Sequence, residues 1–102
     1  MILAKFVKQP AEVLDYDIDF SEFLTEGDTI ASTGDPPTPI GGSVVCSPAG
    51  LIIGSTFVIQ GTTIKQWLSG GVDGQKYKVT ITMTSNAGRV KQVEFVVRVK
   101  DE

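Results

Sequence analysis

Three aspartates at alternate positions are the side chains of this chain most suited to chemistry. If their segment is a strand, they share one face, with neighbours about 7 Å apart. The spacing also matches ligand positions 1, 3, 5, 7 and 12 of the EF-hand calcium loop. The matched residues are Asp15, Asp17, Asp19, Ser21 and Glu26. Position 6 of that loop requires a glycine for its sharp turn, but this chain has Phe20 there. No entering helix is predicted before the segment, so an EF-hand is disfavoured.

The alternation around these aspartates has a simpler explanation. Apolar residues at every second position predict a strand with one buried face. These residues are Leu14, Tyr16, Ile18 and Phe20. The aspartates then form the solvated face of the strand. A looser calcium site completed by Asp28 or Asp35 stays open as an alternative. Glycoside hydrolysis by paired carboxylates would need a substrate cleft, which a domain of this size does not favour.

The composition excludes several classes of enzyme. The chain has 102 residues, no histidine and one cysteine, Cys46. The lack of histidine excludes His-based acid–base catalysis, the Ser-His-Asp triad and His-ligated metal sites. A single cysteine excludes an internal disulfide. Cys46 follows two valines, which indicates a small buried side chain rather than a reactive thiol. We therefore expect no catalytic, cofactor-binding or metal-binding residues, and no enzyme activity.

The charge is unevenly distributed along the chain. The net charge is −3, but residues 1–35 carry eight acids and two lysines, whereas residues 36–102 carry four acids and seven bases. The overall acidity argues against a nucleic-acid partner. The longest apolar runs are too short to cross a bilayer, so no membrane partner is expected. The uneven charge suits self-association or a partner of mixed charge, and simple solvation of both ends is the alternative.

The clearest structural element is a β-hairpin from Tyr77 to Lys100. Residues 77–84 alternate apolar and polar without a fault, and Asn86-Ala87-Gly88 supplies the positive φ angles of a three-residue hairpin loop. The partner strand begins at Arg89. The side chains predicted to point inward are Tyr77, Val79, Ile81, Met83, Val93, Phe95, Val97 and Val99. Val96 breaks the outward polar pattern, so we expect it to make a contact.

Shorter strand patterns fill the rest of the chain. Residues 44–46, 51–59 and 62–68 are apolar or β-branched, and Gly54-Ser55 predicts a turn inside the second of them. Turn signals about every ten residues are typical of a β-sandwich. We predict an all-β fold, an immunoglobulin-like antiparallel β-sandwich of about seven strands, in a single domain spanning residues 1–102.

The segment between residues 19 and 39 is less regular. Asp19 is predicted to cap one short helical turn near residues 20–24, with Glu22 completing a capping box. Residues 29–33 predict a short strand. The prolines of residues 35–39 cannot donate the hydrogen bonds of a central strand, so a stiff surface loop is expected there.

The residues before the hairpin predict a crossover from one sheet to the other. Leu68 and a run of glycines precede Tyr77, and this order is typical of the tyrosine corner of such sandwiches. The glycines also resemble a phosphate-binding loop, but they lack its lysine and following helix. Alternation from Ile64 places Trp67 opposite the core, where it would be a binding anchor, although a lone tryptophan is more often part of the core.

Two stretches of the chain resemble a known protein family. The first is KQPAEVLDYDIDFSEFL from Lys8 to Leu24, followed by GDTI at 27–30. The second is WLSGG at 67–71, followed by Gly74, Tyr77, Val79-Thr80 and Gly88-Arg89. Together they resemble the fibre–tail adaptors of tailed phages, which share an LDY-x-I-D-W-S-x-W-L opening and a W-L-x-G-G stretch. Phe20 and Phe23 stand where that pattern has tryptophans, which keeps the apolar character, and the resemblance is weak over residues 35–59.

The resemblance implies an immunoglobulin-like structural protein of the virion without catalytic residues. The residues expected to hold its structure are Tyr16, Trp67, Leu68, Gly70, Gly71, Gly74, Tyr77 and Gly88. The expected partners are other phage structural proteins and further copies in a symmetric assembly. The expected location is the virion, and the host cytoplasm during assembly. The alternative function is an extracellular immunoglobulin-like module that binds a sugar or a surface.

Overall fold

Nine strands and one short helical turn make up the regular secondary structure of residues 2–101. The computed structural model describes the backbone of residues 2–101 and the side chains of residues 5–101. The strands are β1 (Ile2–Lys8), β2 (Leu14–Asp19), β3 (Ser32–Thr33), β4 (Thr38–Pro39), β5 (Ser43–Ser47), β6 (Leu51–Ile59), β7 (Thr63–Gly70), β8 (Lys76–Thr84) and β9 (Val90–Val99). A 3-10 turn spans Ser21–Phe23 after β2.

Seven of these strands make two sheets. One sheet has the order β1-β9-β8-β5 and the other the order β2-β7-β6, while β3 and β4 form a small ribbon of their own. Apart from the position of β1, this order is that of an immunoglobulin domain, with β2-β7-β6 as one sheet and β9-β8-β5 as the other. The predicted all-β sandwich is confirmed. One edge adds a parallel pair to the otherwise antiparallel sheets, because β1 runs parallel to β9.

The hairpin of β8 and β9 supplies much of the core. All eight side chains predicted to point inward from these strands are buried. Val79 faces Phe95, and Tyr77 faces Val97, across the antiparallel ladder. Tyr16 and Phe95 bring the two sheets together, with ring centroids 5.6 Å apart. The alternation of apolar residues therefore determines which face of each sheet enters the core.

Three local predictions need correction. The helical turn has Phe20, not Asp19, at its N-cap, and no side chain caps it there. Asp19 instead accepts a hydrogen bond from the Ser21 amide at 2.8 Å. The proline-rich segment is not purely a loop, since Thr38 and Pro39 pair with β3. The prolines still fit, because an edge ribbon two residues long needs few amide donors.

The third correction concerns Gly54-Ser55, which forms a bulge within β6 rather than a turn. The register between β6 and β7 shifts between Ile53 and Thr56. The side chain of Gln66, which is fully buried, lies against this bulge. Its Nε2 donates to the carbonyls of Gly54 and Ser55 at 3.2 and 3.3 Å, and its Oε1 accepts from the Thr56 hydroxyl. A side-chain amide thus replaces the ladder hydrogen bonds that the bulge interrupts.

The loop from β7 to β8 crosses between the sheets at Tyr77. The amide of Val72 donates to the Tyr77 hydroxyl at 3.0 Å, which is the geometry of a tyrosine corner. Gly71 has a φ of +98°, and a Cβ there would lie 2.6 Å from Val99 Cγ2. The crossover therefore needs glycine at this position both for its backbone angle and for its space.

The carboxylate of Asp28 ties the segment after β2 to the hairpin loop. Its Oδ1 accepts from the amides of Thr29 and Ala87 at 2.9 and 3.1 Å. Asn86 adds two bonds to Thr29, one from its backbone amide and one from its side chain, both 2.8 Å long. The hydrogen bond with Ser85 is the main cause that lowers the pKa of Asp28.

Asp28→Asn is expected to lower the melting temperature at neutral pH, because a neutral amide accepts hydrogen bonds less strongly than a carboxylate. A carboxyl group whose pKa is lower in the folded chain stabilises the fold at pH values above its pKa in the unfolded chain. This contribution is lost as the pH falls through its pKa in the folded chain. The difference from the wild type should therefore shrink as the pH drops below the ordinary value of 3.8. Thermal unfolding of both proteins at several pH values measures this difference in melting temperature. Asp35→Asn, in the exposed proline-rich segment, is the control; an equal effect there would contradict the prediction.

Candidate interaction surfaces

The outer surface of the β2-β7-β6 sheet is acidic. Asp15, Asp17 and Asp19 alternate along β2 with side chains that enter the core, as the sequence predicted. Lys65 on β7 lies beside them and bonds Asp15 at 2.6 Å and Asp17 at 2.9 Å. The hydrogen bond to Lys65 lowers the pKa of Asp15, and the two aspartates raise the pKa of Lys65.

Asp15 and Asp17 converge on the Lys65 ammonium, and the other two carboxylates lie elsewhere. Asp19 is engaged with Ser21, and Asp28 lies at the hairpin loop. Within residues 5–101, the structure places no group of three or more potential metal-ligating side chains together. The calcium alternative therefore receives no geometric support from this surface.

Apolar side chains occupy the rest of this surface. Trp67 stands opposite Asp15, and Phe57 stands opposite Lys65. The side chains of Trp67 and Phe57 are half-buried. Ile59 is exposed at the end of β6. Trp67 thus lies outside the core, where strand alternation placed it. We call this surface the acidic face. Its members are Asp15, Asp17, Asp19, Phe57, Ile59, Lys65 and Trp67.

The outer surface of the β1-β9-β8-β5 sheet has the opposite charge. Register places Lys5 and Lys78 on either side of Val96, and Val7 and Lys76 on either side of Arg98. All four cations are exposed, while Val96 is half-buried between two of them. We call this surface the basic face. Its members are Lys5, Val7, Lys76, Lys78, Val96 and Arg98.

A groove of about 420 Å³ runs along the basic face. Its apolar lining is Phe6, Val7 and Val96, and its cations are Lys5, Lys76 and Arg98. Phe6 also packs inward, with its ring centroid 4.8 Å from that of Tyr16. The groove therefore combines an apolar floor with a cationic rim.

The sequence did not predict strand β1. The groove was therefore also missed, because β1 supplies three of its six lining residues. Residues 2–8 mix apolar and charged side chains without strict alternation, so period two gives only a weak signal. Val96, where a contact was expected, lies in register between Lys5 of β1 and Lys78 of β8.

The residues expected to hold the structure do not form one site. Tyr16, Leu68 and Tyr77 are buried in the core, whereas Trp67 lies on the acidic face. Gly70 is the last residue of β7, Gly71 and Gly74 lie in the crossover, and Gly88 lies in the hairpin loop, all with positive φ. Cys46 is half-buried on β5, and burial raises the pKa of its thiol. A raised pKa disfavours the thiolate that a nucleophile requires.

The comparisons with known proteins identify the family. A family model described as podophage GP4 fiber-tail adaptor protein gp77 matches residues 8–98. This match covers nearly the whole chain, from the last residue of β1 into β9. The chain belongs to the podophage fibre–tail adaptor family. A comparison with curated proteins gives no match.

Membership in the fibre–tail adaptor family makes this a phage structural protein whose partners are other phage structural proteins, and it points to the virion as its location. The resemblance read from the LDYDIDF and WLSGG stretches is confirmed. Both stretches now have a physical role: the first builds β2, and the second builds the end of β7 and the crossover. Among the described residues, no helix is long and apolar enough to span a membrane.

Proposed function

We propose that this fibre–tail adaptor is a non-enzymatic virion component, acting as a single domain over residues 1–102, that links or decorates tail, fibre or head parts. The observation that carries the proposal is the family match over residues 8–98. Its mechanism is surface complementarity, for which the sandwich offers two broad outer faces of opposite charge. No reaction chemistry is needed for such a role.

The same proposal includes the partners. We expect further copies of the chain in a symmetric assembly, and neither nucleic acid nor membrane as a ligand. The net charge of −3 opposes binding to a phosphate backbone. The chain would reach the virion from the host cytoplasm, where assembly takes place.

The test compares particles made with and without this chain. Particles from the phage that encodes it are purified, and their proteins are identified by mass spectrometry. Cryo-electron microscopy of particles lacking the chain should then show density lost where fibres meet the tail, together with reduced adsorption to host cells. Supplying the gene in trans is the control and should restore both. Absence of the chain from purified particles, with fibres retained when the gene is disrupted, would refute the proposal.

A further inference from the structure

We propose that copies of this chain associate head to tail, with the acidic face of one copy seated on the basic face of the next. This inference rests on the proposed structural function and specifies the surfaces that a second copy would use. The two faces are the outer surfaces of different sheets, so one copy can engage a neighbour on each side at once.

Charge is the first argument for this arrangement. The basic face carries Lys5, Lys76, Lys78 and Arg98. Glu94 lies beside it, with its carboxylate 3.1 Å from the Lys78 ammonium. The acidic face carries three aspartates and Lys65. The two faces are thus of opposite net sign. Complementary potentials favour their encounter and set their orientation, whereas joining two copies of the same face would oppose like charges.

Apolar surface is the second argument. Phe6 in the groove lining is 36% exposed, Val7 on the basic face 59% and Ile59 on the acidic face 38%. Trp67 and Val96 are half-buried on these outer faces and lie outside the core. An aromatic anchor entering an apolar groove with a charged rim is a common arrangement at the centre of protein interfaces. Removing such surface from water favours association.

The geometry also determines the type of assembly. An interface between two different surfaces of the same chain is heterologous, and repetition of it gives a closed ring or an open filament. An interface between identical surfaces gives only a dimer. Head-to-tail contact therefore suits a component that must repeat around or along a particle.

Two sets of variants test the contact without touching the core. Lys76→Glu with Arg98→Glu reverses charge on the basic face, and Asp17→Lys with Ile59→Lys reverses it on the acidic face. All four side chains are exposed, and Asp15 still pairs with Lys65 when Asp17 is replaced. Circular dichroism and thermal unfolding check that each variant folds. Gln92→Glu with Thr84→Glu, at the other end of β8 and β9, is a control that adds the same kind of charge away from the groove.

Sedimentation equilibrium then measures association at increasing protein concentration. The wild type should associate in a concentration- and salt-dependent way, and each reversed variant should associate roughly tenfold or more weakly. A mixture of the two variants should form a one-to-one dimer and grow no further, because one intact face of each type remains. The control should associate like the wild type.

Three results would overturn the inference. They are a wild type that stays monomeric at millimolar concentration, a reversed variant that associates as strongly as the wild type, and a mixture that does not dimerise although both variants are folded. None of these results touches the particle experiment, since a chain that is present at the fibre–tail junction would still support the proposed function. The two proposals can therefore fail separately.

Discussion

Replacing Tyr77 by phenylalanine is expected to destabilise the fold by about 1 kcal/mol, because the partly buried amide of Val72 loses its acceptor. The hydroxyl of Tyr77 accepts that hydrogen bond at 3.0 Å, and the side chain is 1% exposed. The ring itself is kept in the variant, so packing against Val97 and Gly71 changes little. The whole cost then measures one hydrogen bond across the crossover.

The chain provides a matched control for this change in its other tyrosine. Tyr16 is also buried, and its ring packs between Phe6 and Phe95 with centroids 4.8 and 5.6 Å away. Its buried hydroxyl has no hydrogen-bond partner within residues 5–101. Burying a hydroxyl without a partner costs free energy, so Tyr16→Phe should leave stability unchanged or raise it.

Thermal and urea unfolding of both variants test the contrast. For a domain of this size, a loss of 1 kcal/mol lowers the melting temperature by roughly 4–8 °C. We expect the Tyr77 variant to show such a loss, and the Tyr16 variant to melt at or above the wild-type temperature. Equal losses in the two variants would show that the hydroxyl of Tyr77 has no special role in the crossover.

The hairpin and β2 could be predicted because their signals are local. In residues 77–84 every second side chain is apolar, and a strand with one buried face requires that period. The tyrosine corner at Tyr77 could also be predicted from the sequence, since it depends on a short stretch from Leu68 onwards. In such segments, local propensity and global fold agree, which is the condition under which sequence reasoning works.

The failures share a different cause, which is tertiary pairing. Strand β1 gains its hydrogen bonds from β9, more than 80 residues away, and its parallel direction is a property of the topology. Gly54-Ser55 was predicted to be a turn, because no residue close to it in the sequence indicates that Gln66 will support a bulge. A glutamine that alternates with core residues is the available signal, and it was missed.

The candidate surfaces show the same limit. The sequence divides its charge by chain position, with acids in the first third and bases later. The fold converts this division into two opposite faces, because β2 joins β7 in one sheet while β8 and β9 pair with β1 in the other. Knowledge of composition alone predicts two charged ends, but only the strand order shows that each end is a broad sheet face.

Replacement of Lys8 is the second change expected to lower stability strongly, because its side chain is buried. The side chain has no exposed surface, although it is charged. Its ammonium donates to the carbonyls of Gln9 at 2.8 Å and Gly70 at 2.7 Å, with Pro10 at 3.4 Å. These bonds join the connection after β1 to the end of β7, and so link the two sheets.

Lys8→Met keeps much of the side-chain volume but removes all three donors. A carbonyl left without a partner costs about 1–3 kcal/mol when it is buried, and two of the three bonds are short. Relief of the desolvated charge offsets part of this loss. We therefore expect a net destabilisation of about 2–4 kcal/mol, measured by urea unfolding. Lys5→Met, on the same strand but exposed, should change stability by less than about 0.5 kcal/mol.

The pH dependence separates the charge of Lys8 from its packing. Burial is the main cause that lowers the pKa of Lys8 below its ordinary value of 10.5, although Glu12 acts in the opposite direction. Between the folded and unfolded values the unfolded chain binds more protons, so the wild type gains stability from this group as the pH rises. The Met variant lacks that gain, and its deficit should widen as the pH approaches 10.5. A deficit that does not change with pH would mean that Lys8 contributes through packing and not through its charge. A deficit that shrinks with rising pH would mean that the folded chain raises the pKa of Lys8, opposite to the expected direction.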